Sequence, residues 1–132
     1  VAELESTIPA YPDNPGIYND AAMLLLEFDE QRALRYAKRA YELAPEEPAF
    51  LDTYGVALGQ SGDWETAIPL LRTASELAPE NLTIRLNLAR ALLESGATER
   101  GLTELDKVRS RLSPGSLREQ ADQLQALYGD TL

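Results

Sequence analysis

Ala40-Tyr-Glu-Leu-Ala-Pro-Glu-Glu-Pro48 and Ala74-Ser-Glu-Leu-Ala-Pro-Glu-Asn-Leu82 are one phrase written twice, 34 residues apart. The echo extends in both directions: Ala33, Ala67 and Gly101 keep the step, as do Ala40, Ala74 and Val108, and as do Gly62 and Gly96. A repeat of this length is the period of a stacked pair of helices, because each pair cannot bury its apolar face alone and needs a neighbour to cover it. Upstream the register slips by one. Pro12-Asp13-Asn14-Pro15 aligns with Pro45-Glu46-Glu47-Pro48 at 33 residues, so one residue is missing between Phe28 and Asp29. Within a helix such a deletion would rotate every later side chain by about 100°, whereas a turn absorbs it, so the slip predicts a turn.

Each unit reads as two helices. In 49–60, Leu51, Tyr54, Gly55 and Leu58 recur at i, i+3, i+4 and i+7, the stripe of an amphipathic helix. Gly62 supplies the positive φ that closes it, and Asp63 supplies the N-cap of the next helix. That helix carries Trp64, Ala67, Leu70, Leu71, Ala74 and Leu77 before Pro79. Pro69 falls beyond its first turn and is expected to free a carbonyl near Glu65 and bend the helix mildly. Ala22, Gly55 and Ala89 on the first helices, with Ala33, Ala67 and Gly101 on the second, are small enough for helix backbones to approach closely.

The unit resembles the tetratricopeptide repeat. The family's succession of large and small positions with a closing proline is met by Leu51, Tyr54-Gly55, Leu58, Ala67, Leu71, Ala74 and Pro79, and again by Tyr18, Ala21-Ala22, Leu25, Ala33, Ala37, Ala40 and Pro45. The third unit departs from it at Arg85, Gly101, Val108 and Ser113-Pro114, as a terminal repeat does. The resemblance implies an all-α, right-handed superhelical solenoid of antiparallel helix pairs. Its expected units are the second helix of a preceding repeat at 1–11, full repeats at 12–44 and 45–78, a degenerate repeat at 79–113 and a capping helix at 116–129. Leu4, Ile8 and Tyr11-Pro12 sit where a preceding second helix and its proline belong, and Val1 is not an initiator methionine, so the natural protein is expected to continue upstream. Ser116 and Glu119 are spaced as a capping box, with Leu117, Ala121, Leu124 and Leu127 or Tyr128 forming one apolar stripe. Gly129-Asp130-Thr131-Leu132 reads as the C-terminal tail.

Composition excludes several functions. The chain of 132 residues has 12 basic and 22 acidic side chains, a net charge of −10, so phosphates are repelled and nucleic acid is not an expected partner. It has neither cysteine nor histidine, which removes disulfides, thiolate zinc sites, thiol nucleophiles, the commonest metal ligand and the usual general base near neutral pH. No pair of carboxylates is singled out by a glycine-rich loop, so no catalytic residue, cofactor or metal site is expected. The longest apolar run, 21–26, is far short of the ~20 residues that span a bilayer.

The family resemblance implies that first helices line a concave groove. Its expected members are Asn19, Asp20, Met23, Leu26 and Glu27, then Asp52, Thr53, Val56 and Gln60, then Leu86, Asn87, Arg90, Leu93 and Glu94. Asn87 stands where family members use an amide to grip a peptide backbone. The lysine, arginine and asparagine clamp by which chaperone-binding members hold a C-terminal carboxylate is missing: Asn19, Thr53 and Asn87 are neutral, Asp20 and Asp52 are acidic, and Arg90 alone is basic. The expected partner is therefore a protein or peptide of mixed basic and apolar character, with self-association through the N-terminal face as a further expectation. Arg32, Arg35, Lys38 and Arg39 form a basic stripe on a second helix, expected to be solvated and balanced by Glu27, Glu30 and Glu42. Two phrases, 51–55 and 68–72, are similar to those of tetratricopeptide lipoproteins of the bacterial exosortase-associated (PEP-CTERM) export system. This resemblance implies a structural arm or assembly factor in the cell envelope, anchored in the periplasm or outer membrane. The scaffold reading without it implies the cytoplasm.

Overall fold

The computed structural model describes residues 2–131; Val1, which opens the expected half repeat, and Leu132, which closes the tail, lie outside the described residues. The described residues form an all-α right-handed solenoid. Helix α1 (Ala2–Thr7) runs into a 3-10 turn, and three antiparallel pairs follow: α2 (Pro15–Leu25) with α3 (Glu30–Leu43), α4 (Pro48–Gln60) with α5 (Trp64–Leu77), and α6 (Leu82–Glu94) with α7 (Thr98–Arg109). Helix α8 (Ser116–Tyr128) closes the stack. Within each pair the two helices pack along their length, and each second helix then packs on the first helix of the next pair.

Helix starts follow from side chains that accept orphan backbone N–H groups. Asp29 accepts from Arg32 N, Asp63 from Thr66 N, and Asn81 from Ile84 N. Pro15 and Pro48 take first-turn positions where no N–H is needed. Gly62 and Gly96 adopt φ of 90° and 96°, each turning the chain between two helices. The first pair lacks this glycine. The missing residue falls in the turn, α2 ends already at Leu25, and the N–H groups of Phe28 and Asp29 both bond Leu25 O. The third pair lacks the acidic cap, since Ala97 stands where Asp29 and Asp63 cap their helices.

The core is continuous but divided among neighbours. Ala22, Ala37 and Ala57 join the first and second pairs; Leu51, Ala74 and Ile84 join the second and third. Leu86, Ala89, Leu93, Leu105 and Val108 merge with Ala121 and Leu124 of α8. Tyr128, rather than Leu127, completes the α8 stripe; Leu127 is 70% exposed. The expected capping box does not form. Gly115, at φ 151°, is the N-cap, so Ser116 is already inside the helix, where its Oγ accepts from Gln120 Nε2 at 3.4 Å. Pro69 lies on the exposed side of α5, which runs through it unbroken.

Candidate functional site: the concave face of α4 and α6

A polar chain runs from α4 through α6 to α8. Asn87 on α6 donates through Nδ2 to both carboxylate oxygens of Asp52 on α4, at 3.1 and 3.2 Å. Its Oδ1 accepts from Arg90 Nη1 at 3.0 Å, and Arg90 Nη2 donates to Gln120 Oε1 on α8 at 3.0 Å. Three helices are thereby tied in one line. Both Nδ2 and Oδ1 of Asn87, the amide expected to grip a peptide backbone, are hydrogen-bonded to neighbouring side chains. Asp52 has a neutral amide as its direct partner. Burial pushes its carboxyl up to about 6, against the opposing effects of the Asn87 hydrogen bond and the Arg90 charge.

Beside this chain lies a cleft of about 170 Å³ between α4 and α6. Its floor is Val56, Leu71 and Ala91 with the indole of Trp64, and its rim carries Gln60, Arg90 and Glu94. The structure thus brings together Val56, Gln60, Asn87, Arg90 and Glu94 of the expected groove, with Asp52 adjacent through Asn87.

The other expected members are placed differently. Leu86 is 1% exposed and Leu93 2%, because α8 covers the first and α7 the second, so neither offers surface to a partner. Asn19 and Thr53 hold, one unit earlier, the places of Asp52 and Asn87, and both are buried. Thr53 Oγ1 donates to Ala49 O in its own helix, and Asn19 Oδ1 has no hydrogen-bond partner among the described residues. Glu27 is exposed beyond the end of α2, and Leu26 is half-buried against Ala37 and Ala57. Asp20 and Met23, in the register of Asn87 and Arg90, border a broad depression of about 520 Å³ that they share with Glu3, Leu4 and Leu24 at the N-terminal end. There Met23 is 58% and Leu24 49% exposed, whereas Ala57 and Ala91, the equivalents of Leu24, are covered by a preceding first helix.

The basic stripe finds partners other than those expected. Arg32 pairs with Glu5 of α1 and with Asp29, and Arg39 with Asp13. Hydrogen bonds from Arg32 and Tyr36 hold the Glu5 carboxyl below its ordinary range and tie α1 to α3.

Gly55, Trp64, Leu71 and Ala91 also line the cleft and are not among the expected groove residues. Gly55 and Ala91 lie on first helices, and Trp64 and Leu71 on a second helix, where the repeat pattern assigns packing. The one available signal was Gly59, which stands where the flanking units have Leu26 and Leu93 and so opens a way through α4.

These features define an α-helical repeat solenoid with a cleft between α4 and α6. A family model described as tetratricopeptide repeat matches residues 58–128, more than half of the chain, and the chain belongs to that family. Among solved structures, yeast Tom70 is similar with a TM-score of 0.78 at 20% identity, over 97% of this chain and 28% of that one. The TPR2B domain of yeast Sti1, solved in a pHsp70 complex, has a TM-score of 0.74 at 20% identity, over 88% of this chain and 99% of that one. The Thermobaculum terrenum O-GlcNAc transferase, solved as a mutant, has a TM-score of 0.66 at 28% identity, over 81% and 19% respectively. This chain therefore spans about a quarter of the Tom70 length.

Proposed function

We propose that the chain is a binding scaffold without chemistry of its own, which holds a peptide or an exposed protein segment across the concave face of α4 and α6. The observation that carries this reading is the cleft between those helices, apolar at its floor and edged by the carboxylate of Glu94, beside a polar chain that fixes the spacing of α4, α6 and α8. A groove ordered before its partner arrives loses less side-chain freedom on binding. The similar Sti1 domain in its pHsp70 complex shares the fold and supports a peptide or protein as the class of ligand.

Charge selects the partner further. Arg90, the groove's basic side chain, is taken up by Asn87 and Gln120, while Glu27 and Glu94 stand exposed on a chain of net charge −10. A segment combining apolar and basic residues meets both the floor and the rim. Isothermal titration with arrayed peptides of this kind, at low and high salt, tests the reading. Glu94→Lys should weaken binding at least tenfold at low salt, and Lys38→Glu on the basic stripe should leave it unchanged. Equal loss from both substitutions would remove the concave face as the binding surface.

A further inference from the structure

We infer that the cleft between α4 and α6 is an anchor pocket, with Trp64 as its specificity-determining residue, for one Leu-, Met- or Phe-sized side chain of a linear peptide whose neighbouring residue is Lys or Arg. This deepens the scaffold reading and rests on it.

The units differ at two neighbouring positions. At one first-helix position the chain has Leu26, Gly59 and Leu93, and at the start of the second helix it has Glu30, Trp64 and Thr98. In the third unit Leu93 fills the space between the helices, lying so close to Gly101 that a Cβ there would meet Leu93 Cγ at 2.7 Å. In the second unit the exchange is reversed. Gly59 vacates that space and the indole of Trp64 enters it, so that a Cβ on Gly59 would meet Trp64 Cζ3 at 2.6 Å. Leu71 packs against Gly55, a Cβ there meeting Leu71 Cγ at 2.7 Å, and is itself 1% exposed. The Trp64 indole of α5 therefore lines the cleft between α4 and α6 alongside first-helix residues. In the third unit leucine fills the space against Gly101, whereas the second unit has Ala67 at that place. The glycine and tryptophan instead leave a recess with an aromatic wall.

Size and charge specify the occupant. A volume of about 170 Å³ is well below the roughly 300 Å³ at which small-molecule sites begin, and it suits a single side chain. Buried apolar anchors inserted into such recesses dominate peptide and protein interfaces. Glu94 on the rim has no ion-pair partner among the described residues, so a basic residue next to the anchor meets an open carboxylate.

Trp64 is the sole tryptophan of the chain, so its emission reports directly on the recess. The probes are blocked hexapeptides with central Leu-Lys, Met-Lys, Phe-Lys, Ala-Lys and Leu-Glu, followed by tryptophan emission and by calorimetry. The inference predicts a saturable blue shift with the first three peptides and at least tenfold weaker binding of the Ala-Lys and Leu-Glu peptides. The triple variant Gly59→Leu/Trp64→Thr/Ala67→Gly installs the third unit's set of Leu93, Thr98 and Gly101; it should keep the parent's circular dichroism and lose calorimetric binding at least tenfold. Binding without a change in emission, or an Ala-Lys peptide as tight as Leu-Lys, would overturn the anchor and leave the scaffold reading standing. Binding of none of the peptides would overturn both.

Discussion

Replacing Asp52 by asparagine should stabilise the protein near neutral pH and do so less and less as the solution is acidified. In the folded chain the Asp52 carboxyl is pushed from 3.8 up to about 6 by burial, and Asn87 and Arg90 recover only part of that cost. A raised carboxyl means that the native state binds the proton more tightly than the unfolded chain. Its contribution is therefore fully present below pH 3.8, declines as pH rises through about 6, and is absent above. At about 1.4 kcal/mol per tenfold change in proton affinity, the native state carries roughly 3 kcal/mol of destabilisation from this one charge at pH 7.5. Asparagine removes the charge but accepts from Asn87 through one oxygen rather than two, a loss of about 1 kcal/mol. Asp52→Asn should thus gain about 2 kcal/mol at pH 7.5, and that gain should vanish or reverse slightly at pH 4. Urea unfolding of both proteins at pH 4, 5, 6 and 7.5 measures the difference directly, and the other carboxylates cancel in the comparison. A difference that is flat with pH, or that grows in favour of the parent as pH rises, would show that the buried Asp52 charge does not cost the native state what its environment implies.

Three further outcomes are expected. Gly101→Ala should destabilise by about 1 to 3 kcal/mol in urea unfolding despite alanine's better helix propensity, because the new Cβ would meet Leu93 Cγ at 2.7 Å and the Leu93 backbone N at 3.0 Å, which cannot rotate away. Ala97→Asp should stabilise by about 0.5 to 1 kcal/mol in the same assay, since Ala97 holds φ −82° and ψ 61°, close to the −87° and 71° at which Asp63 caps α5. Glu5→Gln should weaken the tie from α1 to Arg32 and Tyr36, so hydrogen exchange should accelerate in residues 2–10 and remain at the parent's rate in α4 to α7.

Most of the architecture was legible because a repeat supplies its own controls. The offset located the helices, the slip located the first turn, and Gly62 with Asp63 located the boundary between α4 and α5, all from local rules of backbone conformation and capping. The capping box at Ser116 failed for a local reason as well: Gly115 took the N-cap at positive φ and moved the serine inside the helix. The groove was less legible. Periodicity identifies the face on which a residue lies, but the neighbour that covers that face is set by position in the stack. Leu86 has the register of a groove residue, yet α8 packs over it; Met23 has the register of Val56 and Arg90, yet it borders the N-terminal depression. Trp64 reached the groove through a gap left by another helix, which a reading of one helix at a time does not reveal.

Chemical-shift mapping of the ¹⁵N-labelled chain during titration with the blocked Leu-Lys hexapeptide locates the binding surface residue by residue. Saturable changes should concentrate at Val56, Gln60, Asn87, Arg90 and Glu94 and at the indole N–H of Trp64, with the exposed Arg35 and Lys38 of α3 unmoved. Saturable changes centred on the α3 stripe or on the N-terminal depression at Met23 and Leu24, with the α4–α6 cleft silent, would contradict binding at that cleft.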